Sequence, residues 1–126
     1  MNRLDVQTWI NGYVEAWRSP GVDGLAKLFT STVDYRVSPW KQPFHGLSEV
    51  KSFWEEGRSG YDEVFELLSE IVAIENETAV ARIEVSYETD SPSKWRNLWI
   101  LEFDHNGLCR SFEEWPFSPE QADGQK

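Results

Sequence analysis

Cysteine is almost absent from this chain. Cys109 stands alone among 126 residues, which excludes an internal disulfide and any cysteine-based metal site and fits a reducing compartment. Basic residues are scarce as well: 12 Lys and Arg face 22 Asp and Glu, for a formal charge of −10. Such a surface repels phosphate backbones, so nucleic acid is not an expected partner. No apolar run approaches the ~18 residues of a membrane-spanning helix, and no basic amphipathic stretch suggests a membrane surface. Met1–Asp5 leads into a polar, helix-like segment without the apolar stretch and cleavage site of a signal peptide, so a cytoplasmic setting is expected. The two histidines, His45 and His105, form no metal-ligand signature. A glycine-rich phosphate loop and a nucleophile elbow are lacking too, and no cofactor is implied.

What the chain has in excess is aromatic side chains: seven Trp, seven Phe and four Tyr. Each buries ~150–250 Å² where it packs, enough to build a core at this length. From Leu4 to Arg18, apolar residues at Val6, Trp9, Ile10, Tyr13, Val14 and Trp17 recur at three- and four-residue spacing and predict an amphipathic helix, stopped by Ser19-Pro20-Gly21. Leu25, Leu28 and Phe29 predict a short second helix over Val22–Phe29. Thr32–Ser38 alternates and predicts a half-buried strand. After a loop, Pro39–Gly46, a third helix is expected from a Ser48 cap to about Gly57, burying Val50, Phe53 and Trp54. Four strands follow, about Val64–Ile74, Thr78–Glu88, Lys94–Asp104 and Leu108–Trp115, with Asn106-Gly107 marking a tight hairpin. The sum is an α+β domain over residues 1–117, three helices packed on a curved, mostly antiparallel sheet, and a polar tail, 118–126, that is expected to fray.

Alternation assigns faces. In Lys94–Asp104, Trp95, Asn97, Trp99, Leu101 and Phe103 share the face turned to the helices. In the preceding strand Ala79, Ala81, Ile83, Val85 and Tyr87 do the same. Arg82, Glu84, Arg96 and Glu102 then lie on the outer face, where cross-strand ion pairing is the ordinary use of such charges.

The order helix, helix, strand, helix and four strands resembles the nuclear-transport-factor-2-like superfamily. Tyr13-Val14-Glu15-Ala16-Trp17, Gly24-Leu25-Ala26-Lys27-Leu28-Phe29, Pro43-Phe44-His45-Gly46, Phe103-Asp104-His105-Asn106-Gly107 and Phe112-Glu113-Glu114-Trp115 carry the resemblance. The SnoaL-like members of that superfamily include ketosteroid isomerase, polyketide cyclases, epoxide hydrolases and scytalone dehydratase. The resemblance implies a cone-shaped fold and a small hydrophobic molecule as ligand. It also implies that Tyr13 is the helix-one tyrosine that donates to a substrate oxygen. It argues against the ketosteroid isomerase reaction itself: the position of that enzyme's base is Val37 or Ser38 here, and that of its second acid is Trp99. Nor do the inward positions assemble the Asp-Arg-Asp set of the epoxide hydrolases.

The resemblance also implies that Trp115 points inward, which by alternation brings Glu113, Ser111 and Cys109 with it. Glu113 is then a carboxylate among aromatic rings, with its pKa raised by burial, suited to general acid or base work. A bulge in the strand reverses this and places Glu114 inside. A rim carboxylate bonded to an indole N–H or a tyrosine hydroxyl is the structural alternative. His45 is a candidate proton shuttle, or simply a loop histidine holding backbone. Tyr13, Trp17, Trp40, Trp54, Trp99 and Trp115 are candidates for the pocket wall, about half of them expected in ordinary core.

Three functional readings follow. The chain binds a small hydrophobic molecule in an aromatic pocket; or it is a cofactor-independent isomerase, cyclase or lyase in which Glu113 moves a proton and Tyr13, with His45, polarises a carbonyl. With either, Leu98 and Ile100 on the outer sheet face suit a homodimer.

Overall fold

The computed structural model describes residues 1–57, 64–88 and 93–121. Helix α1 (Arg3–Trp17) opens on a capping box: the Asn2 carboxamide accepts from the Asp5 N–H, and the Asp5 carboxylate accepts from the Asn2 N–H. Two otherwise orphaned donors are thereby satisfied. The helix buries Val6, Trp9, Ile10 and Tyr13, the stripe that its spacing predicts. Its end is set by the turn through Gly21, whose φ of 76° favours glycine.

The expected second helix is corrected. Asp23–Lys27 forms one short 3-10 segment, so the described residues hold two α-helices instead of three. Gly24 interrupts a stretch of few residues, and Val22 offers no side chain to cap it, which leaves only i→i+3 bonds. Strand β1 (Phe29–Arg36) starts directly afterwards, and the two-residue strand β2 (Phe44–His45) pairs with it antiparallel. Helix α2 (Leu47–Gly57) follows Gly46, which has φ 89° and donates its N–H to the Val33 carbonyl at 2.7 Å. The helix begins one residue ahead of the expected Ser48 cap, and the Glu49 carboxylate reaches back to accept from the His45 N–H.

Strands β3 (Phe65–Glu75), β4 (Thr78–Tyr87), β5 (Ser93–Phe103) and β6 (Cys109–Phe117) form an antiparallel meander. The sheet order is β2-β1-β6-β5-β4-β3, with β1 pairing in parallel with β6. The first strand is thus inside the sheet, and β2 takes the edge. At the β5–β6 hairpin the Asp104 carboxylate accepts from the N–H groups of Asn106 and Leu108, and Gly107 has φ 83°. The expected links at 58–60 and 89–92 lie outside the described residues, as do residues 122–126 of the expected tail; Pro119–Gln121 within it forms a 3-10 turn.

Both helices lie on the concave face, where the core is concentrated. Trp9 is its hub, edge-on to Phe29, Trp99 and Phe103, with its indole N–H donating to the Leu28 carbonyl at 2.9 Å. The outer face carries the charges. Arg96 and Lys94 pair with Glu84, Arg82 with Glu70, and Arg110 with Glu102. The Arg96–Glu84 pair is the expected one, whereas Arg82 and Glu102 find partners on β3 and β6. No helix among the described residues is long and apolar enough to cross a membrane.

Candidate ligand site

The core does not fill the concave face completely. A cavity of about 330 Å³ remains between α1, α2 and the Phe65–Tyr87–Trp95 ends of the strands, at the low end of the usual size of small-molecule sites. Its wall is almost wholly aromatic and aliphatic. Tyr13 and Trp17 come from α1, Tyr35 from β1, Val37 from just beyond the end of β1, Tyr87 from β4, and Trp95 and Trp99 from β5. Period two puts each of these strand residues on the inner face, so the wall follows directly from the alternation.

Two polar clusters interrupt the wall. In the first, the Tyr13 and Tyr35 hydroxyls lie 3.3 Å apart, and the Trp54 indole N–H donates to the Tyr35 oxygen at 3.2 Å. Phe112 stacks on both tyrosine rings, 5.8 Å from Tyr13 and 4.6 Å from Tyr35, and fixes their planes. Two phenolic protons meet at one O···O contact, so only one is used there. The other is available to an oxygen in the cavity. Burial, first of all, raises both phenols above their ordinary range, so they remain protonated donors at any physiological pH.

The second cluster centres on Glu114. Its Oε2 accepts from the Trp99 indole N–H at 2.7 Å and from the Asn97 carboxamide at 3.3 Å. Trp99 and Glu114 are direct cross-strand partners in the β5–β6 register, which explains the short bond. Burial raises the Glu114 pKa above the ordinary carboxylate range, and the two N–H donors only partly offset it. Asn97 Oδ1 is buried without a hydrogen-bond partner. The two clusters therefore present one free phenolic donor facing a carboxyl and an uncommitted amide oxygen.

The facing of Glu113 is corrected. Phe103 pairs with Cys109 and Glu102 with Ser111, so Arg110 is an extra residue that shifts the register between them. Beyond this bulge Phe112, Glu114 and Pro116 turn inward, while Glu113 and Trp115 turn out. Glu113 accepts from the Trp115 indole N–H on the outer side, and Trp115 is 37% exposed. Trp40, in the loop after β1, is 95% exposed and far from any wall. Trp54 is wholly buried behind the wall, donating to Tyr35 and packing edge-on against Tyr13 and Trp17. His45 lies outside the cavity on β2, its Nδ1 2.7 Å from Asp34 Oδ1. That hydrogen bond, and the carboxylate's charge, raise the histidine's pKa.

Of the residues singled out in the sequence, Tyr13, Trp17 and Trp99 line the cavity. Tyr35, Tyr87, Trp95 and Asn97 line it too. Their signal was present in the inward sets of their strands, although none carries a motif of its own. No group of three or more His, Cys, Asp and Glu among the described residues is arranged to hold a metal ion.

A two-helix cone on a six-stranded sheet, with a partly open aromatic cavity, is the architecture of nuclear-transport-factor-2-like proteins. The chain belongs to the SnoaL-like domain family, which matches residues 10–112. Solved structures agree on the fold. An epoxide hydrolase/cyclase-like enzyme, SalBIII, which is connected with pyran ring formation in the polyether salinomycin, superposes with a TM-score of 0.71 at 10% identity, over 88% of this chain and 89% of that one. A provisional ketosteroid isomerase from Parabacteroides distasonis gives 0.63 at 15% identity, over 88% and 86%. A conserved protein from Planctomyces limnophilus gives 0.68 at 16%, over 91% and 95%. No curated protein matches the sequence.

Proposed function

We propose that this chain, as one domain over residues 1–117, binds a small, largely apolar organic molecule through an oxygen held by the Tyr13–Tyr35 pair. The observation that carries the reading is the cavity itself: about 330 Å³ left open in an otherwise packed core, with its polar atoms gathered in two facing clusters. A wall of rings supplies affinity by excluding water, and the free phenolic proton supplies orientation. The test is titration with Nile red, a neutral dye that brightens in apolar surroundings. Wild-type protein is expected to bind it. Val85→Trp, which places an indole in the cavity from a nearly buried wall position, is expected to abolish binding while leaving a cooperative thermal transition. Undiminished dye binding by the filled variant would mean that the cavity is not the site.

A second reading is favoured by one feature, the Glu114 carboxyl. A carboxyl whose pKa is raised by burial, opposite a phenolic donor, is the equipment of a cofactor-independent isomerase, cyclase or lyase, in which the tyrosine pair stabilises developing negative charge on oxygen and the carboxyl moves a proton. Glu114 takes in this reading the part expected of Glu113, and His45 is not among the residues that line the cavity. Val37, just beyond the end of β1, lines the cavity and brings no acid there. Glu114→Gln is expected to lower turnover of any accepted substrate by ~10²-fold or more; unchanged turnover would leave the binding reading alone. We place the protein in the cytoplasm, where its lone thiol stays reduced, and propose that it acts as a homodimer through the outer sheet face.

A further inference from the structure

Among the described residues that line the cavity, the only group able to carry charge at neutral pH is Glu114; no Lys, Arg or His is among them. Arg82, Lys94, Arg96 and Arg110 are engaged in ion pairs on the outer face. Arg18 is engaged by Phe65, its guanidinium 4.5 Å from that ring's centroid and donating to that residue's carbonyl oxygen. Tyr13 and Tyr35 face the carboxyl from α1 and β1 as neutral donors, and Tyr87 lines the cavity from β4. Among the described residues the carboxyl therefore has no cationic partner, although it is buried and held there by only two neutral N–H groups on one of its oxygens.

Hydrogen-bonding capacity points the same way. Glu114 Oε1 makes no hydrogen bond among the described residues, and Asn97 Oδ1 is buried without one. Two acceptors are thus open against a single free phenolic donor. Six rings from four elements, those of Tyr13, Trp17, Tyr35, Tyr87, Trp95 and Trp99, surround this point. In so small a cavity a group is held within the ~6 Å at which a cation gains from the face of a ring. An anion would meet a carboxylate and one donor. A neutral apolar body would satisfy the walls and leave both acceptors bare.

We infer that the ligand of this cavity is an organic cation: an aliphatic amine, carried protonated on an apolar body, whose ammonium N–H bonds Glu114 and Asn97 inside the ring of aromatic side chains. The inference rests on the cavity being the binding site and is independent of the catalytic reading. The overall charge of −10 adds attraction for such a molecule at a distance. Binding of the ammonium favours the ionised carboxyl over the protonated one. Affinity for the amine then falls on acidification, as the carboxyl takes up a proton, while affinity for a neutral molecule does not follow the same curve.

The experiment compares two compounds of one shape, 4-(dimethylaminomethyl)benzyl alcohol, protonated at neutral pH, and 4-isobutylbenzyl alcohol, in which carbon replaces the nitrogen. Their dissociation constants are measured by tryptophan fluorescence or calorimetry, with Nile red titrated alongside. The amine is expected to bind about tenfold or more tighter at neutral pH, to lose most of this lead at mildly acidic pH, and to lose it in Glu114→Gln, whose amide oxygen still accepts from Trp99. Equal or tighter binding of the isobutyl compound overturns the inference, as does a preference that survives both acid and the substitution. The pH series on wild-type protein keeps the test decisive should the variant not fold. If Nile red binds and neither alcohol does, the amine inference fails alone; if none of the three binds, the reading of the cavity as a site fails with it.

Discussion

Glu114 exerts a cost on the fold that depends on pH, and its sign can be worked out. Its folded pKa is raised, so between the ordinary glutamate pKa and the raised one the native chain holds more protons than the unfolded chain. Stability therefore falls as pH rises through that window, and the penalty is absent below the ordinary value. Chemical denaturation of wild type and Glu114→Gln across the acidic to neutral range is expected to show the variant gaining on wild type as pH rises. A constant difference would mean that Glu114 titrates normally. Tyr35→Phe tests the other cluster: it strips the Trp54 N–H and Tyr13 of their buried partner and is expected to destabilise by ~1–3 kcal/mol in the same assay. At this scale the sequence was legible where one strand's alternation sufficed, as for Trp95, Asn97 and Trp99. It was not legible for Glu113 and Glu114, because their facing depends on a register shift between two strands, which no single segment encodes. The Tyr35–Tyr13–Trp54 contact joins three elements and was equally out of reach.

Punctuation decides how elements are read. The Asn106-Gly107 turn was visible as a dipeptide because its chemistry is local, whereas the bulge at Arg110 leaves no such mark. A Cβ at Gly107 would meet nothing within 4 Å, so Gly107→Ala isolates the backbone cost of a positive φ, expected at ~1–2 kcal/mol by thermal or chemical unfolding. Deleting Arg110 is expected to restore plain alternation between Cys109 and Phe112 without turning Glu114 out, so the deletion variant should still bind Nile red. Loss of binding from a folded deletion variant would show that the bulge shapes the cavity as well. The expected second helix failed for a different reason: its stripe of Leu25, Leu28 and Phe29 was read correctly as buried, but a 3-10 turn leading into a strand buries the same residues, and propensity around Gly24 tipped the balance.

For the whole molecule, topology and charge matter most. The outer face of β4, β5 and β6 presents Leu98 beside Trp115 across the β5–β6 ladder, with Phe117 41% exposed, among paired charges. Self-complementary surfaces of this kind suit a two-fold axis. Sedimentation at micromolar concentration is expected to give a dimer, and Leu98→Glu a monomer that still binds Nile red; a monomeric wild type removes the proposal. The succession of elements was legible over most of the chain because each carries its own period. The sheet order was not, since the parallel pairing of β1 with β6 brings together segments with no local signal for each other.

That pairing has a consequence for how the protein is made. On the ribosome β1 emerges early, yet its partner strand β6 follows only after β3, β4 and β5. Until then Phe29, Val33 and Tyr35 have no β6 to lie against, and Phe112 is not in place to stack on the tyrosines. The N-terminal half must therefore wait as an incompletely packed segment with its aromatic face available to chaperones, and the cavity closes only once β6 has joined the sheet.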